Sequence, residues 1–107
     1  MVFSWFNTRT VDAFVDAEVA ELIKRAPPAQ AAVGGAAAKK ADEQLAKAHD
    51  LLLRHARDFA QREKPNVFQK ARIANRLKWA LREAKYPAAF VDEFAYEVAS
   101  VVAAAQS

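Results

Sequence analysis

All four prolines and both glycines of this chain fall at three places: Pro27, Pro28, Gly34 and Gly35 in one stretch, then Pro65, then Pro87. Proline breaks a helix interior and glycine weakens one, so regular structure has to stop there. The intervening segments are dominated by Ala, Leu, Lys, Arg and Glu, all good helix formers. The punctuation therefore predicts an all-α chain of four helices, a small four-helix bundle with short connections between helices 2 and 3 and between helices 3 and 4.

The apolar periodicity fills in each segment. A first helix over 10–25 follows a capping cluster of Asn7, Thr8 and Thr10 and places Val11, Val15, Val19, Leu22 and Ala26 on one face. Asp12 and Asp16 near its start, with Lys24 and Arg25 near its end, suit the helix dipole. The segment 26–38, APPAQAAVGGAAA, has small residues between its breakers and reads as a flexible linker centred on 26–36. A second helix over 37–64 has Leu45, Ala48, Leu52, Ala56 and Phe59 as its core face. Leu51, Leu52 and Leu53 together span more than one face, so this helix is either central or offers Leu51 or Leu53 to another subunit. Asn66 with Gln69 has the spacing of a capping box that opens a third helix over 67–85, its core face Ile73, Ala74, Leu77, Ala80, Leu81 and Ala84. Tyr86-Pro87 breaks the chain again, with Pro87 at the first position of a fourth helix over 88–104. Its face of Phe90, Val91, Phe94, Val98, Val101 and Val102 lies opposite Asp92, Glu93, Tyr96, Glu97 and Ser100. The two short connections favour neighbouring, antiparallel helices.

At 107 residues the chain makes one domain, 1–107, burying roughly 65% of the surface exposed by the unfolded chain. Hydrophobic residues make up 53%, but 26 residues are Ala, so the core is thin and leans on Phe3, Phe6, Phe14, Phe59, Phe90 and Phe94. The N-terminal Phe3, Trp5 and Phe6 are expected to cap the bundle.

Several function classes find no support. The chain has no Cys, which removes disulfides, thiolate metal sites and Cys nucleophiles and suits a reducing cytoplasm. No apolar run is long enough for a membrane span, and the start lacks the basic and apolar regions of a secretory signal. His49 and His55 are six residues apart and do not share a helix face as metal ligands would, although His55 could bond Asp58. Gly34-Gly35 has no Lys-Ser/Thr after it, and no serine is near a histidine in sequence. The expectation is a non-enzymatic protein without cofactor or metal.

Charge is unevenly spread. Residues 64–87 carry a net +6, against a chain total of +3, and residues 88–107 carry only acids. Within the basic stretch Phe68, Arg72, Asn75, Trp79 and Arg82 recur at spacings of 4, 3, 4 and 3, on the side away from the core, with Arg76 beside them. Cations interleaved with flat rings could face a partner protein, or could contact phosphates and stack on bases. Two competing readings are structural: either Phe68 and Trp79 form a second buried face, or the cations are neutralised by Asp92, Glu93 and Glu97. The expected role is a binding or interaction protein whose contact residues are Phe68, Arg72, Asn75, Arg76, Trp79 and Arg82. A protein partner or self-association is the expected ligand, and a nucleic acid or other polyanion the alternative. The stretch NRLKWALREAKYPAAFVDEF resembles small bacterial helical proteins, and that resemblance carries no activity with it.

Overall fold

A computed structural model describes residues 7–28 and 36–105, with the side chains of 36–38 excepted. Phe3, Trp5 and Phe6, the centre of the linker at 29–35, and the last two residues lie outside the described residues. Four helices make up the described chain: α1 (Arg9–Arg25), α2 (Ala36–Glu63), α3 (Val67–Glu83) and α4 (Ala88–Ala105). Each boundary falls within two residues of the expected one, because breakers and caps act through local sterics and local hydrogen bonds.

The ends show the local chemistry. Asn66 and Gln69 form the reciprocal capping box, each side chain accepting the other's backbone N–H at 2.9 Å. At α1 the cluster works differently: Asn7 Oδ1 accepts the Arg9 N–H, while the Thr8 hydroxyl donates to Asp12 instead of capping the backbone. The α3–α4 corner is a Schellman turn in which Tyr86 N–H donates to Leu81 O and Lys85 N–H to Arg82 O. It forces Lys85 to φ 75°, and Lys64 takes φ 48° in the same role after α2. Glycine is usual there, so each lysine costs roughly 1 kcal/mol of backbone strain. Pro87 lies just outside α4, its carbonyl accepting from Val91 N–H, rather than at the first helical position.

The close pairs are α1–α2, α1–α3, α2–α4 and α3–α4. The ring order is therefore α1, α2, α4, α3, and consecutive helices α2 and α3 lie across the diagonal. This corrects the expectation that both short connections join neighbours. Lys64, Pro65 and Asn66 carry the chain across the end of the bundle, and only the α3–α4 connection makes a neighbouring antiparallel pair. Helix α1 runs parallel to α3, since Asp12 meets Arg72, Asp16 meets Arg76 and Ala26 meets Tyr86, each 60 residues apart. It runs antiparallel to α2, where Phe14 stacks on Phe59 and Glu18 meets His55.

The expected apolar faces converge on one core. Val11, Val15, Val19, Leu22, Ala26, Leu52, Phe59, Ile73, Leu77, Leu81, Val91, Phe94, Val98 and Val102 are all buried. Ala48, Ala56, Ala60 and Ala95 are buried too, where small side chains let backbones approach closely. Leu51 and Leu53 are both half-buried against this core. Leu51 lies one turn before His55, which bonds α1, and Leu53 one turn after His49, which bonds α4. The apolar width of α2 beyond one face is thus packed in part within the fold. Ala26 belongs to the packed body as well, so the expected linker over 26–36 starts too early: the Ala26 carbonyl accepts the Tyr86 hydroxyl at 2.7 Å.

Candidate functional site

Helix α3 has its core face on Ile73, Leu77 and Leu81, so residues half a turn away point outward. Phe68, Arg72, Asn75, Trp79 and Arg82 are all exposed, while Arg76 is half-buried on the α1 side. Trp79 is 61% exposed and Phe68 41%. The two rings are 11 residues apart in sequence, close to three whole turns, which keeps them on one face. A second buried aromatic face does not account for Trp79.

The arginines are not all available. Arg72 donates to both carboxylate oxygens of Asp12 at 2.9 and 3.2 Å, and Arg76 to both of Asp16 at 2.9 Å. Arg76 also lies 3.9 Å from Asp12. The guanidinium hydrogen bonds hold both aspartates below the usual carboxylate range, outweighing the smaller effect of burial. The competing structural reading named acids of the next helix as the neutralising partners; for Arg72 and Arg76 the partners come instead from α1. Among the described residues, Arg82 is the one cation of α3 that pairs with α4, donating to Asp92 at 3.4 Å, whereas Glu97 bonds His49. The parallel register of α1 and α3 is the reason: a repeat of four on each helix brings two Asp–Arg rungs level. Lys64, Lys70, Lys78 and Lys85 make no ion pair among the described residues.

Both histidines are used as fasteners on opposite flanks of α2. His55 Nδ1 lies 2.9 Å from Glu18 Oε1 of α1, in place of the expected Asp58. Burial pushes the Glu18 carboxyl above its ordinary range, and the His55 contact only partly opposes this. His49 Nε2 lies 2.9 Å from Glu97 of α4, and its ring tilts against Phe94. Burial alone would lower the His49 pKa; the hydrogen bonds to Glu97 and Asp50 outweigh it and raise the pKa above the ordinary histidine value. Sequence spacing within α2 could not reveal either partner, because both come from other helices. Among the described residues no three potential ligands cluster to hold a metal ion, and no helix is long and apolar enough to cross a membrane.

The raised His49 pKa has a definite sign. Its stabilising contribution is fully present below the unfolded value of about 6.5 and is lost as pH rises through the folded value. Glu97→Gln should remove that loss, so wild type and variant should converge from pH 6 to pH 8.5. The difference at pH 6 should be below about 1 kcal/mol, since the pair is partly solvated. Urea midpoints at the two pH values measure it, and a gap that widens with pH would contradict the assignment.

No protein-family model, no curated protein and no solved structure matches this chain.

Proposed function

We propose that this is a non-enzymatic interaction protein that engages a partner protein through the outward face of α3, with Trp79 as the central contact and Phe68, Arg72, Asn75, Arg76 and Arg82 around it. The observation that carries this reading is the exposure of Trp79 between cationic neighbours, one turn from Asn75 and Arg82. A buried Trp and Arg pair is a common anchor of protein interfaces. The Asp12–Arg72 and Asp16–Arg76 rungs favour a protein over a nucleic acid. A phosphate would have to break bidentate bonds and approach two carboxylates on the same face, whereas a polar protein rim can bond the rungs as they stand. The nucleic-acid alternative draws on Lys64, Lys70, Lys78 and Lys85, which have no carboxylate partner among the described residues.

The test places a photo-crosslinking residue at exposed Asn75 and, as control, at exposed Ser100 on α4. A protein adduct at 75, absent at 100 and lost in Trp79→Ala, supports the reading. A nucleic-acid adduct, with affinity falling by about 0.7–0.9 log units per log unit of salt for each phosphate contact, moves the function to the alternative. Equal labelling at both positions sinks the assignment of this face. The triple change of Arg72, Arg76 and Arg82 to Gln should leave helicity intact and lower the thermal midpoint only slightly, because Arg and Gln are similar helix formers and each of the three pairs is at least partly solvated. Outright unfolding would make the arginines structural.

A further inference from the structure

We propose that a second surface, the groove between the first half of α2 and the start of α4, binds a short cationic peptide segment of a partner protein, an apolar side chain flanked by Lys or Arg. The groove encloses about 230 Å³ and is lined by Leu45, Ala46, Phe90 and Phe94, with Asp42, Glu93 and Glu97 at its edges and His49 between them. It exists because α2 outruns α1. The register of Glu18 with His55 and Phe14 with Phe59, extended, brings Arg25 level with Ala48. The stretch of α2 around Leu45 and Ala46 therefore stands against α4 with no part of α1 beside it, and among the described residues one flank of the apolar strip stays open.

The occupant follows from the chemistry of floor and rim. Phe90 stacks on Phe94 at 5.4 Å and remains half-exposed, offering an apolar seat and a π face that attracts cations. Asp42 and Glu93 make no ion pair among the described residues, and α4 contains no Lys or Arg to offset them. Two rim acids without an ion pair beside an apolar seat favour a basic, apolar-anchored ligand over an acidic one. The volume admits one large side chain rather than a docked helix. This face is separate from that of Trp79, so the two assignments fail independently.

The probe is a blocked Lys-Trp-Lys tripeptide, with blocked Glu-Trp-Glu as control, titrated into the full chain labelled with ¹⁵N. Saturable shifts centred on Leu45, Ala46, Glu93 and Phe94 with the cationic peptide alone are expected. Glu93→Gln should weaken binding about two- to fivefold, the scale of one exposed ion pair. Ala46→Leu, which fills the groove from an exposed helix position, should abolish it, and Trp79→Ala should leave it unchanged. The proposal is overturned by equal shifts with both peptides or by none. It is also overturned if the chain alone self-associates through this face and Glu93→Gln dissolves the oligomer, which would assign the groove to a second copy.

Discussion

Phe94→Ala should lower the unfolding free energy by about 3–5 kcal/mol, the range for removing a buried aromatic ring. Phe94 is 1% exposed and sits where three helices use it at once. Its ring stacks on Phe90, meets His49, and lines the central space with Leu52, Ala56, Ile73, Leu77 and Val98. Domains of this size are stable by only about 5–15 kcal/mol, so the variant should approach its unfolding midpoint at moderate urea. The surrounding alanines cannot rotate inward to fill the hole, which argues for the upper part of the range. Leu52→Ala should behave similarly but cost less, about 2–5 kcal/mol. A midpoint unchanged in Phe94→Ala would mean that the apolar arc of α4 does not face the core.

Tyr86→Phe should cost about 1–3 kcal/mol at neutral pH, because it leaves the Ala26 carbonyl buried without its donor. The ring itself would stay packed beside Phe90, so the variant isolates the hydroxyl. Burial pushes the Tyr86 pKa up to about 12. An acid whose folded pKa is raised loses stability as pH climbs from its unfolded value, here about 10, toward the folded one. The gap between wild type and Tyr86→Phe should therefore shrink above pH 10, since tyrosinate cannot donate to a carbonyl. Denaturation at pH 7 and pH 11 separates this from a packing defect, which would keep the gap constant.

The same bond shows how far local information reaches. Tyr86-Pro87 marks a helix break in the sequence, and the break is there. Nothing near Tyr86 indicates that its hydroxyl closes the far end of α1. The proposed contact face divides in the same way. Helical spacing placed Phe68, Arg72, Asn75, Trp79 and Arg82 on the outward side of α3, and they lie there. Which of these arginines already hold a carboxylate depended on α1 lying parallel beside α3, an arrangement that no spacing within either helix encodes. The α2–α4 groove was hidden for a related reason: Leu45, Phe90 and Phe94 read as ordinary core positions, and among the described residues it is the shorter length of α1 that leaves their flank open.

By itself the sequence determined the four helices, their ends and their buried faces, because breakers, caps and apolar periodicity act over a few residues. The tertiary structure alone decided the ring order with α2 and α3 on the diagonal, the Asp–Arg rungs, and the His49–Glu97 and His55–Glu18 fasteners. Those depend on pairing between helices 37 to 60 residues apart, where the chain's local pattern fixes which face is apolar but not which neighbour covers it.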